Sequence, residues 1–137
     1  TEVLLVKLVR TASLSLRVST PPAESKECAA AKRYIDENYS RTITLDSLAE
    51  IAHVNKYYLS HSFKREYGAS PIDYLMKRRI TEAKALLTST DFSLTQIAEQ
   101  IGFRSLAYFS KCFRKVEDIS PNEYRKTAAR KAPPGNL

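Results

Sequence analysis

Two stretches of this chain place polar and cationic side chains at one shared spacing. In the first, Tyr57, Ser60, His61 and Lys64 fall at i, i+3, i+4 and i+7; in the second, Ala107, Ser110, Lys111 and Arg114 do the same. On an α-helix that spacing defines one face. The edge so formed is short, polar and cationic, and it carries no acid. It suits a polyanion, because Lys and Arg satisfy phosphates while shorter side chains reach base edges in a major groove. Other chemistry lacks its parts. There is no nucleophile with a base and an orienter, no pair of acids in an apolar setting and no phosphate-binding glycine loop. His53, His61, Cys28 and Cys112 do not form a four-ligand zinc spacing. Neither catalysis, nor a cofactor, nor a metal is expected.

The charge distribution agrees with those two edges. Of the 137 residues, 22 are Lys or Arg and 15 are Asp or Glu, a formal net charge of +7. Cations exceed acids by two in residues 55–68 and again in 104–118, whereas residues 69–103 balance and 26–54 carry one extra acid. Positive charge gathered on two matched segments is what a polyanion rewards. Ordinary solvated surface charge is the plainer reading of any one segment. A basic helical module that docks an acidic protein is the alternative function. Two cysteines make no disulfide framework, which points to a reducing cytoplasm. No apolar run reaches membrane-spanning length, so no membrane partner is expected.

The elements that must hold these edges are helices. Thr44 reads as an N-cap for residues 45–52, Asn55 for a helix running to Gly68, and Gly68 as its left-handed stop. Ser70 and Pro71 open a long linker helix over 70–89, whose stripe Met76, Ile80, Ala83 and Leu87 is spaced +4, +3 and +4. Residues 93–101 and 105–117 form a second pair of helices, Ser120 and Pro121 start a last short one, and a first one ends near Asn38. The fold class is therefore all-α, with two helix-turn-helix units (44–68 and 93–118) joined by the linker helix, about seven helices in all. Residues 17–23, RVSTPPA, have linker composition, and the single methionine is Met76. Residues 1–25 are thus expected to be the tail of a preceding domain plus a linker, 26–128 the double unit, and 129–137 a disordered tail.

The chain also repeats. FKREYGASPIDYL at 63–75 matches FRKVEDISPNEYR at 113–125 with an offset of 50, and LAEIAHV at 48–54 matches IAEQIGF at 97–103 with an offset of 49. One extra residue therefore sits in the second turn. The inner face of the longer helix should bury Leu59 and Phe63 in one copy, and Phe109, Cys112, Phe113 and Val116 in the other.

These residues resemble the DNA-binding domain of the AraC-type family of bacterial transcription factors. Residues 93–125, SLTQIAEQIGFRSLAYFSKCFRKVEDISPNEYR, carry the family's IA…GF…YF…F…SP…YR pattern, and YLMKRRITEAKALL is similarly family-like at Arg79, Ala83, Leu86 and Leu87. The resemblance covers about residues 26–128 and departs from the family at Asp118, where a glycine matching Gly68 is common, and at His53, opposite Gly102. It implies that residues 55–68 and 105–117 are the recognition helices and that double-stranded DNA is the partner. Carried over by position, Tyr57, Ser60, His61, Leu106, Ala107, Tyr108, Ser110 and Lys111 are base-reading candidates, Leu106 only toward a thymine methyl. Lys56, Lys64, Arg104, Arg114, Arg125 and Lys126 are phosphate contacts, which position without specifying. The resemblance further implies contact with RNA polymerase, activation rather than repression, homodimerisation of a full-length protein through its N-terminal domain, and a monomeric state for this fragment.

Four smaller expectations concern neighbours. One of the adjacent Tyr57 and Tyr58 should face inward, Tyr108 should be half core, Arg79 should pair with Glu82 along the linker helix, and Cys112 should be core because its slot matches Ser62. If Lys and Arg meet six to ten phosphates, affinity for duplex DNA should fall by about 10³–10⁵ between 50 and 200 mM salt. A salt titration that leaves affinity nearly unchanged would favour the acidic-protein alternative.

Overall fold

Each helix begins where a side chain can take up its first free amide. The computed structural model describes residues 25–131, and among them every regular element is an α-helix. Ser25 caps α1 (Lys26–Asn38). Thr44 caps α2 (Leu45–Ala52), where Thr44 and Ser47 exchange side-chain bonds with each other's backbone. Asn55 caps α3 (Lys56–Tyr67), Ser70 caps α4 (Pro71–Ser89), Ser93 caps α5 (Leu94–Gln100) and Ser105 caps α6 (Leu106–Glu117). At α7 (Pro121–Lys131) the Ser120 amide donates to Glu123 Oε1 while the Glu123 amide donates to Ser120 Oγ. A cap of this kind stabilises its helix by about 1 kcal/mol. The last helix reaches Lys131, so residues 129–131, expected in a disordered tail, are helical; Ala128 and Ala129 are good helix formers and nothing in the last turn breaks the pattern. The tail and linker expected over residues 1–24 lie outside the described residues. No described helix is long and apolar enough to cross a membrane.

Two cores form, and α4 belongs to both. Leu75 closes the first core with Ile35, Leu48, Leu59 and Phe63. One turn later Ile80, Ala83 and Leu87 join Ile97, Ile101, Phe103, Phe109 and Phe113 in the second. The linker helix is thus the last helix of one unit and the first of the next. This use extends the repeat beyond the segments that can be aligned by residue type. Cys28, Ala31 and Ile35 on α1 are buried at the same spacing as Ile80, Ala83 and Leu87 on α4, each 52 residues on. Of the side chains expected on the inner face of α6, Phe109 and Phe113 are fully buried, Cys112 is half-buried and Val116 is 37% exposed. Position 116 lies past the end of the α5 packing surface, so the helical stripe runs out before the helix does.

Arg79 does not pair with Glu82, which goes to Arg78. Its side chain leaves α4 on the buried side instead, only 6% exposed, with Nε donating to the Tyr39 carbonyl at 2.6 Å and Nη2 to that of Arg41 at 2.8 Å. The backbone between those two carbonyls is that of Ser40, and against it lies Gly102 of the second unit's turn. A Cβ on Gly102 would stand 2.8 Å from the Ser40 oxygen, and its φ of 101° disfavours any other residue. Gly68, at φ 79°, has open space around it. Gly102→Ala should therefore destabilise by about 2–4 kcal/mol, combining a strained conformation with a backbone clash, and Gly68→Ala by only about 1 kcal/mol. Urea melts of the two variants check the contrast; equal losses would mean that the contact between the units carries no weight.

Candidate nucleic-acid interface

Helices α3 and α6, the two candidate recognition helices, are held alike and expose alike. In α3, Leu59, Ser62 and Phe63 are buried, which leaves Lys56, Tyr57, Tyr58, His61 and Lys64 exposed and Ser60 half-exposed. In α6, Phe109 and Phe113 are buried, which leaves Leu106, Ala107, Tyr108, Lys111 and Arg114 exposed and Ser110 half-exposed. All eight base-reading candidates thus stand on two helical edges open to solvent. Both helices end in a left-handed residue: Gly68 at φ 79° and Asp118 at φ 69°. The extra residue of the second copy is Arg104, inserted between the left-handed turn at Gly102 and the Ser105 cap.

Several side chains depart from expectation. Tyr57 and Tyr58 both face outward, at 68% and 48% exposed, because Leu59 and Phe63 already fill the inner face. Tyr108 is 47% exposed, its ring edge-on to Phe103 at 5.6 Å. Its phenol is pushed above the usual range, first by its interaction with the Cys112 thiol, so it presents a neutral hydroxyl. Such a group can both donate to and accept from a base edge.

The cations divide into two kinds. Lys64, Arg104, Lys111 and Arg114 are exposed and form no ion pair among the described residues. Lys56 is shared: its Nζ lies 3.4 Å from Asp46 and 5.8 Å from the Tyr57 ring. Arg125, expected at a phosphate, is engaged within the protein. Its Nε donates to the Leu87 carbonyl at 3.0 Å and its Nη2 to that of Thr90 at 3.2 Å, so its guanidinium closes the C-terminal end of α4. Arg79 does the same for the end of α1. Lys126, its neighbour, is exposed. Two further exposed cations beside the recognition edges, Arg65 and Lys115, went unremarked in the residue patterns. Each directly follows a residue singled out as a phosphate contact, and a basic pair was the available signal.

Residues 48–127 match a family described as a helix-turn-helix domain, more than half of the chain. This chain belongs to the AraC-type helix-turn-helix family. The transcriptional regulator YisR of Bacillus subtilis is 39% identical over 111 residues, which cover 81% of this chain and 39% of YisR. The chain therefore spans about two fifths of the length of that relative. Among solved structures, the C-terminal domain of AraT, a response regulator from Geobacillus stearothermophilus, superposes with a TM-score of 0.74 at 39% identity, covering 77% of this chain and 88% of that one. The DNA-binding domain of AdpA, a global transcriptional factor solved in complex with a target DNA, superposes with a TM-score of 0.75 at 26% identity, over 81% of this chain and all of that one.

Within this AraC-type domain the two kinds of cation should respond differently to removal. Lys111→Ala should cost about 1–3 kcal/mol on a specific duplex and little on random DNA. Arg125→Ala should lower the melting temperature, since two part-buried carbonyls lose their donor at about 1 kcal/mol or more, and leave the affinity of the folded fraction unchanged. Binding isotherms on both duplexes, paired with melting curves, separate the two. An Arg125→Ala variant that melts normally but binds weakly would restore the phosphate role.

Proposed function

We propose that this AraC-type domain binds double-stranded DNA in a sequence-dependent way, with α3 and α6 in successive major-groove segments on one face of the duplex. The observation that carries this reading is the pair of matched, solvent-open edges, one on each unit, with a rigid helix shared between them. Tyr57, Ser60 and His61 read bases for the first unit, and Leu106, Ala107, Tyr108, Ser110 and Lys111 for the second. Lys56, Lys64, Arg104, Arg114 and Lys126 hold phosphates. The nineteen residues of α4 span about 28 Å, and one DNA turn is about 34 Å, a gap that modest bending closes. The likeness to AdpA, a protein solved on its target DNA, supports the same docking here.

The two edges differ in side chains, so the target is asymmetric rather than palindromic. In the cell the domain serves as the output of a cytoplasmic bacterial transcription regulator, favouring activation through contact with RNA polymerase. Dimerisation belongs to other parts of a longer protein, and this domain alone is a monomer.

Selection of bound sequences from a random DNA pool tests the reading. The wild type should return two short blocks about one helical turn apart. Lys111→Ala should relax one block and His61→Ala the other, each by about 1–3 kcal/mol of discrimination. If both substitutions relax the same block, or His61→Ala relaxes neither, a single helix engages DNA.

A further inference from the structure

Between the two units runs a cleft of about 400 Å³. It is lined by Thr42 and Thr44 from the first unit, Arg79 from α4, and Phe103, Arg104 and Tyr108 from the second. Arg79 is the unusual member. It is 94% buried, and no carboxylate among the described residues lies within ion-pair distance of it. Two of its nitrogens are spent on the Tyr39 and Arg41 carbonyls, its guanidinium carbon sits 5.4 Å from the centre of the Phe103 ring, and Nη1 forms no hydrogen bond among the described residues. Burial pushes its pKa below the ordinary value, yet a guanidinium keeps its proton in a protein. A charge so buried, met by two carbonyl dipoles and a ring face but no carboxylate, is poorly compensated, and an anion in the cleft that it lines relieves that cost.

The other walls favour the same guest. Arg104 is exposed, free of ion pairs and set in the turn between Gly102 and the cap of α6. Thr42 and Thr44 offer hydroxyls, and Tyr108 offers a phenol held neutral. Asp46, the acid in the first turn of α2, is already engaged by Lys56. The cleft has donors on both sides, positive charge from α4 and the second unit, and no carboxylate in its lining.

We infer that the cleft between the two units is an oxyanion site that seats one phosphate group, held by Arg79 and Arg104. Resting on the DNA-binding reading above, the phosphate is one from the backbone midway between the two major-groove segments. Arg104 and Tyr108 line the cleft and are also exposed at the start of α6, so a duplex docked on that edge would run past the cleft, and helix-turn-helix units set their first helix across the backbone. Arg79 then has two duties: it fixes the seam between the units, and it offers that seam's charge to the DNA. The site would register the duplex between the two blocks without reading any base there.

The test has two arms. In the first, the duplex recovered by selection carries one neutral methylphosphonate at each linkage between the two blocks in turn. One linkage, or two neighbours, should weaken the wild type about tenfold, the worth of one charge-assisted contact. The same replacement should cost Arg104→Ala little more, and that variant should fold normally because Arg104 is an exposed turn residue. In the second arm, inorganic phosphate is titrated into the free domain. Shifts of the Arg79 Nε–H and the Phe103 and Arg104 amides in ¹⁵N spectra, saturating at millimolar phosphate, support an oxyanion site whether or not DNA fills it. Central linkages that can all be neutralised without loss, with those resonances still moving, would overturn the backbone assignment in favour of free phosphate. Indifference in both arms overturns the site altogether. A domain that binds no unmodified duplex defeats the DNA-binding reading instead, and the phosphate titration still decides the cleft.

Discussion

The seam that sets the unit of α3 against the unit of α6 depends on one buried guanidinium. Arg79 reaches back from the shared helix to the end of α1 and holds the carbonyls on either side of Ser40. The Ser40 backbone is the surface against which Gly102 of the second unit packs. Burying an arginine without a carboxylate is costly, and a hydrophobic side chain at position 79 would avoid that cost. Only a planar, five-donor group, however, can answer two carbonyls of a turn that α1 leaves unsatisfied at its C-terminus. Without it, those part-buried carbonyls would lose their donor, and the loop that touches the second unit would lose its anchor.

The shared helix turns a repeat into a rigid pair. Each unit consists of a supporting helix, a short helix, a longer helix with an exposed polar edge and a closing helix, and α4 closes the first while supporting the second. An arginine on each closing helix caps the end of each supporting helix: Arg79 onto the end of α1, Arg125 onto the end of α4. The two arginines stand 46 residues apart where the downstream repeat runs at 50, a difference of about one helical turn. The same solution is thus reached from neighbouring turns. Sharing α4 also removes the freedom a flexible linker would leave, so the relative orientation of α3 and α6 is fixed before any ligand arrives. That kind of preorganisation lowers the cost of engaging two sites at once.

What could be read from residue types was whatever short-range chemistry decides. The caps at Thr44, Asn55, Ser70, Ser93, Ser105 and Ser120 lie where Ser, Thr or Asn precedes an apolar period, and the helix bounds followed from them. Phe63 and Phe113, which occupy the same slot in the two copies, are both fully buried. The polar edges of α3 and α6 were legible because burial of the opposite face leaves them no alternative. Long cations were not legible in the same way. Arg79 and Arg125 each have several neighbours within reach of a flexible side chain, and tertiary contact decided against Glu82 for one and leaves the other occupied away from the exposed edge. Adjacency alone points one of Tyr57 and Tyr58 inward, but Leu59 and Phe63 already fill the inner face and both tyrosines stand outside.

The four left-handed residues among those described show how a position's neighbours, more than its dihedral angles, choose glycine. His53, Gly68, Gly102 and Asp118 all have positive φ. His53 and Gly102 occupy the same turn in the two copies, as do Gly68 and Asp118 at the ends of α3 and α6. If conformation alone decided, all four would favour glycine equally, since a side chain in that region costs about 1–2 kcal/mol. A histidine and an aspartate occupy two of them, residue types among those that bear the conformation best. Gly68 has room for a Cβ, so its requirement is conformational only. At Gly102 the first unit's backbone fills the space where a Cβ would go. The turn of the first unit has no such neighbour pressed against it that forbids a side chain, which is why His53 can stand there. The difference between the two copies at this turn therefore marks the seam between the units, the same seam that Arg79 clamps and that opens into the cleft beside Arg104.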